Sequence, residues 1–107
     1  MTLHPQIAAL AAQLEELSAL LRGHGDRWWS AKIDLCRGLI TDSNFTGVEK
    51  FLALLNGAGG FADFKLRDGE GALLPDHLRL VELRQAARTL AERLAREERS
   101  TPDRMSD

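Results

Sequence analysis

Four features of this chain carry groups able to do chemistry: three histidines, one cysteine, a glycine-rich turn and a set of loop carboxylates. His4, His24 and His77 each lack a second His or Cys three or four residues away, the spacing that puts two metal ligands on one helical face. A metal site would need distant segments to meet, and each histidine falls near an expected helix end, where an exposed polar side chain is the ordinary reading. Cys36 acting as a nucleophile would need a neighbouring base and an electropositive, partly exposed setting. The sequence offers it an apolar helical face with Arg37 outside it, so it reads as a buried, reduced thiol, and as the single cysteine it forms no intramolecular disulfide.

Gly57-Ala58-Gly59-Gly60-Phe61-Ala62 satisfies the relaxed pattern G-x-G-x-x-[GA], whose glycines let a pyrophosphate approach backbone amides at a helix start. That fingerprint follows a strand and opens a helix, whereas this one follows a helical pattern and precedes Asp63-Phe64-Lys65-Leu66. It reads as a tight interhelical turn packed under the core. Asp42, Asp63, Asp68 and Glu70 gather in the loops flanking the third helix, where two carboxylates could serve as acid and base. Turn carboxylates also cap helices and close turns, and Asp42 is the best capping candidate of the four. No catalytic residue, metal ligand or cofactor is therefore assigned. Trp28 and Trp29 are adjacent, about 100° apart on a helix, so both cannot face one narrow core. One lies at an interface, or their helix is buried on a broad face. Candidate partner-binding residues are thus Trp28, Trp29, Asp63, Asp68 and Glu70, and candidate turn residues are Asp42, Gly47, Gly57, Gly59 and Gly60.

The elements that must position these groups are legible in the apolar spacing. Leu3, Ile7, Leu10, Leu14, Leu17 and Leu21 alternate steps of four and three, one stripe along a first helix. Thr2 is its expected cap, Pro5 suits its first turn, and Gly23 with Gly25 stops it. Asp26 is the expected N-cap of a second helix with Trp29, Ile33, Cys36 and Ile40 on one face and Trp28, Leu35 and Leu39 beside it, which predicts a central position. Gly38 weakens its end, and Thr41, Asp42, Ser43 and Asn44 form a polar break. Phe45, Val48, Phe51, Leu52 and Leu55 predict a third helix, stopped at Asn56-Gly57. Phe61, Phe64 and Leu66 ahead of the Asp68-Gly69-Glu70-Gly71 turn signal predict a short extended segment or a hairpin. Pro75 opens the last helix, whose Leu80, Leu83, Ala87, Leu90 and Leu94 repeat the first helix's stripe. Leu74, Leu78 and Val81 widen its apolar face, and the pairs Glu92 with Arg96 and Arg93 with Glu97 mark a solvated one.

The expected fold is all-α: a compact four-helix bundle-like domain over residues 1–99, the two end helices pairing antiparallel within one chain, followed by a disordered tail at 100–107. A chain of 107 residues, 44% apolar and 28% charged, has the size and balance of one globular domain. Its net charge is -2; up to Glu70 there are seven basic and nine acidic residues and from Gly71 seven of each, so no basic surplus exists to neutralise a phosphate backbone. Nucleic acid is disfavoured as a partner. Met1 to Gln6 have no basic region leading into an apolar run, and no stretch approaches ~20 apolar residues, so a cytoplasmic location off the membrane is expected.

From Gly25 to Leu66 the chain resembles an uncharacterised family of small bacterial helical proteins. The likeness rests on Trp28 or Trp29, then Asp42, Phe45, Gly47, Val48, Phe51 and Leu52, then Gly57, Gly59, Gly60, Phe61, Asp63, Phe64 and Leu66. Ala58, Ala62 and Lys65 depart from the commoner pattern. The resemblance implies a compact stand-alone fold and carries no catalytic residue across. The functional expectation is a non-enzymatic protein-interaction module, in its most concrete form an immunity or antitoxin-like protein neutralising a partner, such as a toxin, through Asp63, Asp68 and Glu70. The alternatives are a small ligand-binding or hydrolytic enzyme using the glycine turn with Asp42 and Asp63, and a structural homodimer joined by the heptad faces or an exposed tryptophan.

Overall fold

A computed structural model describes residues 5–42, 44–56 and 59–99. Four helices, α1 (Pro5–Gly23), α2 (Trp28–Thr41), α3 (Thr46–Leu55) and α4 (Asp76–Arg99), are joined by short connections, with one 3₁₀ turn at Phe61–Asp63. Among the described residues there is no strand, and the protein is an all-α bundle. The expected roles of Thr2, Leu3, His4, Ser43, Gly57, Ala58 and the tail at 100–107 fall outside the described residues.

α1 ends as its glycines require. Gly25 takes φ 82°, its amide bonds the Arg22 carbonyl at 2.9 Å, and the Asp26 amide returns to the Leu21 carbonyl at 2.9 Å. These two bonds form a Schellman motif that satisfies the last carbonyls of the helix and turns the chain back. Asp26 then serves the next helix, its Oδ1 accepting the Trp29 amide at 2.9 Å, which occupies one of the otherwise unpaired donors of the first turn. α2 lies along α1, and the seam carries a polar strip: Ser18 Oγ donates to the Ser30 carbonyl at 3.4 Å, and Arg22 reaches Ser18 Oγ at 2.6 Å and Asp34 at 2.8 Å.

The stripes of the end helices meet within the chain. Leu10, Leu14, Leu17 and Leu21 of α1 and Leu80, Leu83, Ala87 and Ala91 of α4 are all buried, in one cluster with Ile33, Ile40, Val48, Phe51 and Phe61. Contacts late in α1 fall early in α4, with Glu16 beside Arg79 at 3.4 Å and His24 on Asp76 at 2.9 Å, so the pair is antiparallel. Ala91 replaces Leu90 at the centre of the seam, and Leu90 is only partly covered. The start of α4 departs from its expected apolar face. Leu74 packs on the core, but Leu78 is 74% and Val81 38% exposed, because the hairpin before α4 covers the side that carries His77 and Leu80. Glu92 accepts Arg88 at 3.2 Å rather than Arg96, a pair of the same i,i+4 spacing one turn earlier.

α3 crosses α2 at a glycine. A Cβ on Gly47 would lie 2.7 Å from the Cys36 carbonyl oxygen, 2.8 Å from Ile40 Cγ1 and 2.9 Å from Leu39 Cβ. The sequence places Gly47 among turn residues; the structure corrects this, setting it in the first turn of α3, where its missing side chain sets the distance between the two helices. The capping expectation for Asp42 is also corrected. Asp42 closes α2 through its backbone amide, bonded to Gly38 and Ile40 carbonyls, and the Thr46 amide at the start of α3 is taken by Asn44 Oδ1 at 3.0 Å. Asn44 is two residues from that amide, the reach of an Asx turn, which Asp42 lacks.

The segment between α3 and α4 is a hairpin reduced to a single antiparallel bridge, Arg67 to Leu73. The Leu74 amide bonds the Leu66 carbonyl at 2.9 Å and the Asp68 amide the Ala72 carbonyl at 2.8 Å. Asp68 Oδ1 accepts the amides of Glu70 and Ala72 at 2.8 and 3.0 Å, and Arg67 donates to the Gly71 carbonyl at 2.7 Å. The turn signal read in the sequence is thus executed by the Asp68 side chain and by Gly71 at φ 88°.

Candidate functional site

The two tryptophans separate. Trp29 turns inward, its ring centroid 5.1 Å from Phe61 and 6.3 Å from Phe64, with Phe61 and Phe64 themselves 6.0 Å apart. This aromatic cluster fixes the 3₁₀ turn to α2, and Arg84 of α4 holds it from the other side. Its guanidinium donates to the carbonyls of Phe61 at 2.9 Å and Phe64 at 2.8 Å and lies over the Phe61 ring. Burial pulls the Arg84 guanidinium below its ordinary value, and Asp63 opposes the shift. The sequence around Arg84 carries no signal for this role, which depends on where the turn at Gly59 and Gly60 places the Phe61 and Phe64 carbonyls.

Gly60 permits that placement. Its Cβ would sit 2.5 Å from the Asn56 carbonyl oxygen, so the chain doubles back directly over the end of α3; Gly59, at φ 75°, makes the turn. Gly59 and Gly60 therefore turn the chain with backbone packed on backbone, and the 3₁₀ turn after them feeds Phe61 into the core, where it is fully buried.

Trp28 is 66% exposed. Leu35, seven residues on and within about 20° on the helix surface, is 61% exposed. Between them Lys32 holds its Nζ 4.4 Å above the Trp28 ring, a contact worth about 0.5–1 kcal/mol at an exposed site. α2 thus carries two stripes: Trp29, Ile33, Cys36 and Ile40 toward the core, and Trp28, Lys32 and Leu35 outward. α3 covers the second only near its end, because Gly47 seats it against Cys36, Leu39 and Ile40. Beyond the crossing a groove of about 290 Å³ opens between the helices, lined by Lys32, Leu35, Cys36, Lys50, Ala53 and Leu54. Covering Leu35 alone would recover on the order of 1–2 kcal/mol of apolar transfer energy.

Cys36 forms the floor of this groove and is 2% exposed. Burial pushes its thiol up to about 11, with Lys50 opposing, so at neutral pH it is protonated and a poor nucleophile. His77 corrects the expectation of an exposed histidine. It is 9% exposed and its Nδ1 accepts the Leu66 amide at 3.3 Å, which ties the hairpin to α4. Burial lowers its affinity for a proton, and Arg84, Lys65 and Arg67 lower it further. His24 pairs with Asp76 at 2.9 Å.

The candidate carboxylates are exposed and spread over three elements. Asp42 closes α2, Asp63 ends the 3₁₀ turn, and Asp68 and Glu70 sit on the hairpin. Asp68 spends one oxygen on its own turn, and Lys65 and Arg67 are interleaved with Asp63, Asp68 and Glu70, which leaves the loop only weakly acidic. Among the described residues no group of three or more His, Cys, Asp or Glu is gathered in metal-binding array, and no helix is long and apolar enough to cross a membrane. Further hollows lie among the described residues. One of about 550 Å³ between α1 and α4 is lined by Gln13, Glu82, Gln85, Thr89, Leu90 and Arg93 among others; one of about 340 Å³ lies where the α1–α2 turn faces Phe64, Lys65 and Arg67. Neither includes a large, strongly exposed apolar side chain. No protein-family model, curated protein or solved structure matches the chain.

Proposed function

We propose that the protein is a non-enzymatic interaction module that docks another protein on the outer face of α2, beside the groove it shares with α3. One observation carries this reading: Trp28 and Leu35, both more than half exposed, stand one heptad apart on the same face of α2, and Leu35 lines the hollow between α2 and α3. Scattered exposed apolar residues need no explanation, but tryptophan is enriched at interface centres, and here an exposed leucine extends its apolar face along the same helix beside a groove. The immunity- or antitoxin-like form of this reading, working through Asp63, Asp68 and Glu70, draws less support, because Lys65 and Arg67 offset the charge that would oppose a basic partner.

The test compares the wild-type chain with a Trp28→Gln, Leu35→Gln variant, first for unchanged circular dichroism and melting, then for proteins captured by each from the native host. A partner retained by the wild type and lost by the equally folded variant supports the proposal. Identical capture by both, or capture by neither, overturns it.

A further inference from the structure

We infer that the α2–α3 groove takes an acidic amphipathic helix of the partner, whose apolar residues cover Trp28 and Leu35 and whose carboxylates meet Lys32 and Lys50. The inference rests on the outer face of α2 being the docking surface and adds the chemistry of what occupies it. Charge is the first argument. Of the six residues lining the groove, two are lysines and none is acidic, and neither ammonium has a carboxylate partner among the described residues. Lys32 is held over Trp28 by the ring, and Lys50 is close enough to act on the Cys36 thiol. Both cations are therefore placed at the rim of an apolar strip, where an opposite charge from a partner fixes orientation and speeds encounter.

Spacing is the second argument. Trp28 and Leu35 lie about 10 Å apart along the helix axis, the repeat at which a docked helix presents its own i and i+7 side chains. The hollow that Leu35 and Lys32 line, about 290 Å³, is at the small end of ligand cavities and partly open to solvent, which suits side chains of a helix better than an enclosed small molecule. A second copy of the chain is a poorer occupant. A two-fold pairing sets a patch against itself, which would bring Lys32 and Lys50 toward their own counterparts with no carboxylate in the groove to separate them.

The probe is a synthetic helical peptide of roughly five turns, with leucines at i, i+3 and i+7 flanked by glutamates, and a matched peptide with lysine at every glutamate position. Each is titrated into the full-length isotopically labelled chain and followed by two-dimensional NMR. The acidic peptide is expected to shift the Trp28 indole and the Leu35 and Lys50 amides, to weaken as salt rises, and to bind at least about tenfold more tightly than the basic one. A Lys32→Glu, Lys50→Glu variant should reverse that preference. Equal affinity of the two peptides at this face overturns the inference while leaving the docking face intact. Absence of shifts at Trp28, Leu35 and Lys50, or shifts confined to another surface such as Leu78, also overturns it. So does sedimentation showing that the chain alone dimerises and that Trp28→Gln, Leu35→Gln abolishes the dimer, since the occupant is then a second copy. Failure of the docking face itself is read separately, from unchanged partner capture by that same variant.

Discussion

Replacing Gly47 by alanine sets two effects of similar size against each other, and the local geometry decides between them. Inside a helix, glycine to alanine ordinarily stabilises by about 0.5–1 kcal/mol, because alanine loses less backbone freedom on folding. At Gly47 the new methyl would stand 2.7 Å from the Cys36 carbonyl oxygen and 2.8 and 2.9 Å from side-chain carbons of Ile40 and Leu39. Carbon contacts are comfortable at roughly 3.5–4 Å. The carbonyl is backbone and cannot rotate away, so α3 must retreat by roughly 0.5–1 Å, a gap that forfeits a quarter to a half of the dispersion at the contact. Overpacking of this kind costs about 1–3 kcal/mol, which exceeds the propensity gain and leaves Gly47→Ala destabilised by about 1–2 kcal/mol. Gly38 supplies the control. It lies in α2 with nothing within 4 Å of its notional Cβ, so Gly38→Ala should gain about 0.5–1 kcal/mol. Urea unfolding followed by circular dichroism reads both, and for a domain of this size each kcal/mol moves the melting point by about 4–8 °C. A Gly47→Ala midpoint at or above wild type, with an unchanged urea slope, would refute the close helix crossing and the groove that depends on it.

Because His77 has its proton affinity lowered in the fold, its contribution is complete above its ordinary value of about 6.5 and is lost as pH falls below that toward the folded value. Wild-type stability should therefore decline as pH falls below about 6.5 with early loss of exchange protection at the Leu66 amide, and a His77→Leu variant that keeps the same slope would contradict this. Cys36, buried and with its thiol pushed up to about 11, should react with iodoacetamide only as fast as the chain unfolds; rapid labelling in native buffer would show an open groove floor. Arg84→Met keeps the aliphatic stem but abandons two carbonyls, and should cost about 2 kcal/mol in urea unfolding; a loss below about 0.5 kcal/mol would mean that water replaces the guanidinium freely. Trp29→Ala should cost about 3 kcal/mol, whereas Trp28→Gln should stay within about 0.5 kcal/mol of wild type; equal losses would contradict the inward and outward assignment of the two rings.

How much was legible in the sequence depends on the range of the interaction that decides each feature. The stripes of α1 and α4, the Gly25 stop and the Asp26 cap are local, and the residues themselves specify them: a leucine every third or fourth position, a glycine for positive φ, a carboxylate three residues from a free amide. The buried state of Cys36 follows from the same periodicity. What the sequence withheld is set by contacts between distant elements. His77 sits near a helix end, a position that reads as exposed, yet a hairpin closed by Asp68 folds over it and turns its ring into an acceptor for Leu66. Arg84 looks like one more surface arginine until the Gly60 close approach delivers the Phe61 and Phe64 carbonyls to it. Gly47 carried a signal, a glycine within an apolar helical pattern, but only the crossing with α2 shows that its function is proximity and not a turn. The tryptophan pair was readable as a division of roles, and the aromatic partners Phe61 and Phe64 decide which ring goes in.

Those decisions together explain why the outer face of α2 is bare. α2 has 14 residues and α3 has 10, and Gly47 locks the start of α3 to the end of α2, so the shorter helix runs back along the longer one toward its first turns and stops at Asn56. Gly60 then folds the chain over the end of α3 instead of onward across Trp28, and Trp29 and Arg84 draw the following segment to the other side of α2. Among the described residues the bundle closes with Trp28 and Leu35 left exposed, so the core does not require apolar residues at those two positions: polar ones would leave every buried contact described above in place. Folding stability accounts for Ile33, Ile40, Val48 and Phe51. It does not account for a tryptophan and a leucine held in water one heptad apart beside Lys32 and Lys50, neither of which has a carboxylate partner among the described residues, and the proposed docking face is built on that remainder.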